Sequence, residues 1–127
     1  MLRTPAPLIG ALGVSSHLHA IVLIGKGVDI VEVVMVEFAV GPELSDECVA
    51  ALGELMTAVV ARQPKFHSAT IHKEEATGAV INIMRWDRAT DFVEFRDSNQ
   101  EIIGPVLAKY GPKGRMLQVV AEIESNP

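Results

Sequence analysis

Three side chains that are capable of chemistry, His72, Asn82 and Trp86, lie close together in a stretch of mostly apolar neighbours. An imidazole titrates near neutral pH and can accept a proton from a substrate. A carboxamide offers a donor and an acceptor, so it can hold a carbonyl or an enolate oxygen. An indole adds a flat wall and an N–H donor. Together these groups could bind a small aromatic molecule and take its acidic proton.

Each of the three residues also has an ordinary structural explanation. Trp86 could anchor a helix on the sheet, and His72 could be an exposed histidine near a loop. Asn82 is harder to explain in this way, because a carboxamide inside an apolar strand needs hydrogen-bond partners if it is buried.

Two strands must position these side chains. The alternating segments Phe66–Lys73 and Ala79–Trp86 predict a hairpin whose connection is Glu74–Gly78. If Lys73 faces Ala79 across this five-residue connection, residues of the same parity share one face of the sheet.

This register groups seven side chains on a single face. They are Ser68, Thr70, His72, Val80, Asn82, Met84 and Trp86. Thr70 and Met84 would then line the same site as the three reactive side chains and contact a substrate. A slip of one residue in the register would break this grouping.

The first half of the chain predicts a strand and a helix. Ile30–Val40 is apolar and β-branched almost throughout, as in a strand that is covered on both faces. Glu37 interrupts it, and Arg85 is a candidate partner for this carboxylate. Ser45 is a good N-cap for an amphipathic helix over Asp46–Arg62.

The second half predicts further helices and a last strand. One helix follows the hairpin, and the capping-box pattern Ser98–Glu101 marks another helix start. Gly104–Pro105 predicts a turn, followed by a second helical piece that ends near Gly111. Met116–Ile123 predicts the final strand.

The predicted order is strand, helix, strand, strand, helix, strand. This is the split βαβ pattern of an α+β, ferredoxin-like fold, with a four-stranded antiparallel sheet and helices on one side. Both faces of the hairpin are largely apolar, and the helices can cover only one of them. The remaining face predicts a homodimer that packs sheet against sheet.

The first residues are predicted to be an extension of this domain. Residues 1–29 form an N-terminal arm, in which Leu18–Ile24 could add a strand at the dimer interface, and residues 30–127 form the domain. His17 and His19 would share a face of such a strand, as two metal ligands could, but no third ligand is near them. The sequence therefore predicts no metal site.

Composition excludes several classes of partner. The net charge is −5 and no basic cluster stands out, which argues against nucleic acid. The apolar runs are too short to span a membrane. Cys48 is the only cysteine, so no disulfide can form within the chain, and the expected location is the cytoplasm.

The stretch SATIHKEEATGAVINIMRWDRATDFVEF, together with the order of elements, resembles the antibiotic biosynthesis monooxygenase superfamily of dimeric α+β barrel proteins. The resemblance covers roughly Ile30–Glu124. It depends on the tryptophan at the end of a strand, Trp86, and on the helix after it, which carries Phe92 and Phe95.

This resemblance implies residue roles. Quinone-forming members carry an asparagine four residues before the strand-ending tryptophan, which Asn82 and Trp86 match, and His72 matches a histidine on the preceding strand. A tyrosine that helps line the cavity in those members is replaced by Phe92, which would contact the substrate without a hydroxyl group.

The resemblance also implies a reaction that uses no cofactor. An electron-rich phenol or anthrone, once deprotonated, can pass an electron to O₂, so the protein mainly binds, desolvates and orients it. The expected function is a cofactor-independent monooxygenase acting on a small aromatic or polyketide-like molecule, with molecular oxygen as co-substrate. Haem degradation is disfavoured, because the haem-degrading members bind the iron through a histidine on the helix after the tryptophan, and this chain has no histidine there. The alternative is a non-catalytic ligand-binding or structural dimer on the same fold.

Overall fold

The computed structural model describes residues 31–126. The arm predicted for residues 1–29, with its added strand and its histidine pair, lies outside the described residues. Val31–Gln118 form one unit, and residues 119–126 contain neither helix nor strand. Within the described range, every helix is too short or too polar to cross a membrane.

Four strands and three helices, with one short 3-10 turn, follow one another in the described residues. They are β1 (Glu32–Phe38), α1 (Pro42–Ala58), the turn Val60–Arg62, β2 (Phe66–Lys73), β3 (Val80–Trp86), α2 (Ala89–Ser98), α3 (Gln100–Tyr110) and β4 (Pro112–Gln118). The strands form one sheet in the order β2-β3-β1-β4, and each neighbouring pair is antiparallel. This arrangement confirms the predicted α+β, ferredoxin-like fold.

The helices pack on one face of the sheet, which we call the helix face. Alternate residues of the two central strands point to it: Val34, Val36 and Phe38 on β1, and Val80, Asn82, Met84 and Trp86 on β3. We call the other side the open face, and it carries Met35, Ile81 and Ile83, which are only half buried in the single chain. The core of the unit therefore lies between the helix face and the three helices.

Helix α1 begins earlier than Ser45, so the predicted N-cap is wrong. Gly41 is the N-cap, and Pro42 occupies the first turn, where its missing N–H costs no hydrogen bond. Ser45 is buried inside the helix, where its hydroxyl lies within hydrogen-bond reach of the carbonyl oxygens of Gly41, at 3.2 Å, and Gly78. The serine therefore ties the helix to the end of the β2–β3 connection.

The turn predicted at Pro105 is also wrong, because a single helix runs through it. The missing proline N–H affects only the carbonyl of Glu101, an exposed residue in the first turn of α3. Burial of Ile103 and Tyr110 on the same side of α3 outweighs this loss. The predicted end near Gly111 is confirmed, since Gly111 adopts the left-handed conformation with φ 62°.

The last strand lies closer to α3 than the predicted Met116–Ile123. Its limits follow from its partner, because Phe38 pairs with Pro112 and Glu32 pairs with Gln118. Residues beyond this point have no place on the β1 ladder.

The predicted pair between Glu37 and Arg85 is replaced by another. Arg115 on β4 lies 3.2 Å from the Glu37 carboxylate, whereas Arg85 stands four residue pairs farther along the β1–β3 ladder. Glu32 points the opposite way, as its odd spacing from Glu37 requires. Its carboxylate accepts a hydrogen bond of 2.7 Å from the backbone N–H of Ala89, and so caps the start of α2.

Candidate functional site

Asn82 is a polar residue in the centre of the helix face, and only 1% of its surface is exposed. Its Nδ2 atom donates a hydrogen bond to the sulfur of Met56 over 3.5 Å. Its Oδ1 atom is buried and has no hydrogen-bond partner among the described residues. A buried carbonyl without a partner costs about 1–3 kcal/mol, and thioether sulfur is a weak acceptor. The carboxamide therefore has an unused acceptor and a donor that is held only by a weak acceptor.

A cavity of about 30 Å³ lies beside this carboxamide, between the helix face and the helices. Asn82 is the one polar residue in its lining. The apolar lining residues are Val36, Phe38, Leu52, Leu55, Met56, Val60, Met84, Phe92, Phe95, Ile103 and Leu107. Such walls keep the local dielectric low, so a hydrogen bond from a ligand to Asn82 would be stronger here than in water.

Trp86 lies next to this cavity without being part of its lining. Its indole packs against three phenylalanine rings, with centroid distances of 5.4 Å to Phe66, 5.9 Å to Phe92 and 5.8 Å to Phe95. The indole Nε1 is buried and has no partner among the described residues. Trp86 thus supports the two phenylalanines of α2 that form one wall of the cavity.

The predicted grouping of His72 and Thr70 with Asn82 is wrong. In the structure Lys73 pairs with Val80, so His72 stands opposite Ile81 and shares the open face with it. The connection contains six residues between the paired positions rather than five, and this single added residue reverses the parity of β2 from Ser68 to Lys73. His72 and Thr70 therefore lie on the opposite face of the sheet from Asn82.

On the open face, His72 and Thr70 contact each other. The Thr70 hydroxyl lies 2.9 Å from the His72 Nε2 atom, and both residues are exposed. Within this chain they cannot touch a molecule bound beside Asn82. Met84 and Phe92, which were predicted to contact a substrate, do line the cavity with Asn82.

Part of the cavity wall comes from residues that sequence reasoning did not assign to a site. Leu52 and Met56 on α1 recur at helical spacing, so their direction toward the sheet could be read from the pattern. Ile103 and Leu107 on α3 have the same spacing, but the turn expected at Gly104 hid it.

A polar cluster outside the cavity joins α1 to α3. The Glu47 carboxylate accepts hydrogen bonds from the Tyr110 hydroxyl, at 2.5 Å, and from the Lys109 ammonium, at 2.7 Å. The bond from Lys109, followed by that from Tyr110, lowers the pKa of Glu47. The same contacts with Glu47 raise the pKa of Lys109 and of Tyr110. The cluster holds together two helices that supply cavity walls.

The remaining reactive groups are scattered. His67 Nε2 lies 2.5 Å from the Asp87 carboxylate at the irregular start of the β2–β3 ladder. Burial raises the pKa of the Cys48 thiol, which makes it a poor nucleophile. Among residues 31–126, no three histidine, cysteine or acidic side chains are placed to share a metal ion.

No family model and no curated protein matches the chain. Solved structures do match it. A monooxygenase from the gene ActVA-Orf6 of Streptomyces coelicolor, determined with nanaomycin D, shares 22% sequence identity over 77% of this chain and 95% of its own, with a TM-score of 0.61. SnoaB, a cofactor-independent oxygenase from Streptomyces nogalater, shares 16% identity over 77% of this chain and all of its own length (100%), with a TM-score of 0.56.

A third similar structure is a dimeric ferredoxin-like protein from an uncultured marine organism. It shares 8% identity over 73% of this chain and 97% of its own, with a TM-score of 0.57. At these identities the likeness shows a common fold. The fold that the sequence indicated through its resemblance to antibiotic biosynthesis monooxygenases is thus confirmed.

The Glu47 cluster predicts a pH-dependent contribution to stability. Because the folded-state pKa of Glu47 is lowered, its contribution is present above the ordinary value of 4.5 and is lost as the pH falls below it. Tyr110 has a raised pKa, so its contribution is present below its ordinary value of 10.0 and is lost as the pH rises above it. Glu47→Gln should therefore lower the free energy of unfolding most between these two values.

Urea unfolding of the wild type and Glu47→Gln across this pH range measures the effect. Glu54→Gln, an exposed glutamate on the same helix, is the matched control and should change stability little. A Glu47→Gln deficit that is equally large at pH 3 would contradict the interpretation of the cluster.

A second prediction concerns the unpaired amide. Asn82→Leu replaces a buried carbonyl that lacks a partner with an apolar group of similar size, so we expect it to raise the free energy of unfolding by about 1 kcal/mol. Asn82→Ala removes the same polar group but enlarges the cavity, and should lower stability by about 1 kcal/mol or more. Chemical denaturation measures both, and an Asn82→Leu variant that is much less stable than wild type would show that the carboxamide is satisfied in the fold.

Proposed function

We propose that this protein is a cofactor-independent monooxygenase that oxidises a small electron-rich aromatic molecule with O₂. The observation that supports this proposal most is the Asn82 carboxamide, buried with an unpaired oxygen beside an otherwise apolar cavity. The fold is one that this chain shares with a monooxygenase and with a cofactor-independent oxygenase.

The proposed role of Asn82 is to hold the oxygen on which negative charge develops. An anthrone is in equilibrium with its enolate, and the enolate oxygen is a strong acceptor for the Asn82 Nδ2–H group. The free Oδ1 atom can accept a hydrogen bond from a neighbouring phenol hydroxyl on the same molecule. Both atoms of the carboxamide would then be satisfied, which the free protein does not achieve.

The reaction balances without any group other than the substrate and oxygen. The anthrone loses a proton from the carbon opposite its carbonyl to solvent water, and the resulting anion gives one electron to O₂. The carbon radical and superoxide then join, and the peroxide takes up a proton from solvent. Loss of the remaining hydrogen on that carbon, with cleavage of the O–O bond, gives the quinone carbonyl and one water.

The apolar walls would contribute by excluding water from the anion. Phe92 and Phe95, held by Trp86, offer flat surfaces on which an aromatic ring can pack. Phe92 provides no hydroxyl, so we propose that hydrogen bonding to the substrate depends on Asn82 more than in a site with a tyrosine there. The catalytic role that the sequence predicted for His72 is not part of this proposal, because the pairing of β2 with β3 offers it no route to this cavity within one chain.

Oxygen uptake with 1,8-dihydroxyanthrone tests this function directly. After subtraction of the uncatalysed rate, wild type should consume O₂ and release the anthraquinone, and Asn82→Leu should lower kcat/KM by about 100-fold because the enolate loses its donor. His72→Ala, on the open face, is the matched control and should leave the rate unchanged. If His72→Ala instead lowers the rate of oxygen uptake, the histidine acts as the base.

The absence of uptake by wild type, with anthrones and dihydronaphthoquinones alike, would overturn the proposal. If such molecules bind at Asn82 without oxygen uptake, the protein is a ligand-binding dimer on the same fold. If no such molecule binds, the protein is a structural dimer, and the small cavity volume is the observation that favours this outcome.

We also propose that the open face packs against a second copy of this chain. Its central residues Met35, Ile81 and Ile83 are apolar and only half buried, and a similar fold is described as dimeric. Ile83→Asp should convert a dimer to a monomer in sedimentation velocity, because a carboxylate would be desolvated in the interface. Ala108→Asp, which adds the same charge on an exposed position of α3, should leave the dimer intact. A dimer that persists in Ile83→Asp would exclude this face.

A further inference from the structure

The cavity beside Asn82 is too small for an aromatic ring in the conformation seen. Its volume of about 30 Å³ holds roughly one water molecule, whereas a cavity that accepts benzene is roughly 150 Å³. If the protein binds a ring compound there, as the proposed function requires, part of the wall must move.

Most of the lining cannot move without disturbing the core. Phe38 and Met84 are on the central strands and are 1% exposed, and Leu52 and Ile103 on their helices are 1% and 2% exposed. The partly exposed lining residues are Met56, Phe92 and Leu107, one from each helix. These three form the rim of the cavity.

The three rim residues differ in how firmly they are held. Phe92 packs edge-on against Trp86, and the Arg96 guanidinium lies 5.9 Å from the centre of its ring. Leu107 is branched and has no polar link to the cavity. Met56 is unbranched with three rotatable bonds, so it can change rotamer without any movement of α1.

Met56 is also the residue that accepts the hydrogen bond of the Asn82 side chain. Its sulfur takes the hydrogen bond of the Asn82 Nδ2–H group, over 3.5 Å, in the position where a ligand oxygen would be received. A carbonyl or enolate oxygen is a much stronger acceptor than a thioether, so the exchange favours the ligand. Movement of Met56 therefore opens space and frees the donor in a single step.

We propose that Met56 is the gate of the Asn82 cavity, and that it must swing outward before a planar ring compound with a carbonyl or enolate oxygen can bind. Its thioether serves as a stand-in acceptor for Asn82 while the site is empty. Met56 is in this view a specificity-determining residue, since the space it yields sets the largest ring system that enters.

Binding kinetics test the gate without requiring turnover. The probes are phenol, 1-naphthol and 1,8-dihydroxyanthraquinone, with one, two and three rings, and the signal is the fluorescence of Trp86, the single tryptophan of the chain. In stopped-flow mixing, Met56→Ala should speed association of the three-ring probe by about tenfold, and the acceleration should decrease with ring number and be smallest for phenol. Leu107→Ala, which also opens the rim but leaves the Asn82–Met56 hydrogen bond in place, is the matched control and should change the rate less than about threefold.

A second substitution separates a gate from a simple wall. Met56→Gln keeps the length of the side chain but offers Asn82 a carbonyl acceptor, so it should hold the gate closed and weaken binding of the three-ring probe by about tenfold. Met56→Leu, of similar size and without an acceptor, should not weaken binding in this way. Thermal unfolding of each variant confirms that it is folded.

The proposal that Met56 is a gate would be overturned if Met56→Ala and Leu107→Ala accelerate association of the three-ring probe equally. It would also be overturned if Met56→Gln binds this probe with wild-type affinity. A failure of the three-ring probe to bind either wild type or Met56→Ala would overturn it as well. These outcomes are distinct from a failure of the proposed function, because binding that depends on Met56 without oxygen uptake keeps the gate and removes the monooxygenase. If substitution of Met56 leaves the rate of oxygen uptake unchanged, the monooxygenase function is kept and the gate is excluded.

Discussion

The antiparallel ladder between β1 and β3 decides which side chains meet the helices. Val36 pairs with Asn82 and Val34 with Met84, so the carboxamide is placed in the middle of an apolar layer that the helices then cover. Because side chains alternate along a strand, Asn82 could leave this layer only if the whole strand were turned over. Burial of the apolar partners thus keeps a polar group where it lacks a full set of hydrogen bonds.

The helices complete this environment in different ways. Helix α1 lays Met56 on the carboxamide, and α2 brings Phe92 and Phe95 against the indole of Trp86. Glu32 fixes the start of α2 through the Ala89 N–H group, so even the aromatic wall depends on β1. The cavity is therefore a product of the sheet and of all three helices, rather than of one motif.

The sequence predicted the element order, and β2 was predicted with the bounds that it has in the structure, Phe66–Lys73. It failed where one residue decides the outcome. Glu74 donates its N–H to the Ala79 carbonyl, which continues the pairing of Lys73 with Val80 by one step. Lys73 therefore faces Val80, one residue beyond the predicted partner Ala79. Strand propensity is nearly the same in either register, and therefore could not place His72. In α3, the apolar spacing outweighed the proline at 105, which a local rule treats as a stop.

The contact between Gly78 and α1 has a consequence for anyone who wishes to redesign the cavity. Gly78 has φ 85°, and a side chain there would place its first carbon 2.6 Å from the backbone nitrogen of Pro42. This close approach, with the Ser45 hydroxyl, sets where α1 begins and so which of its residues stands above Asn82. Gly78, which is distant from Met56 in sequence, thus helps to fix the position of α1 over the sheet. A library of variants that is meant to enlarge the cavity should vary the rim residues Met56, Phe92 and Leu107 and leave Gly78 unchanged.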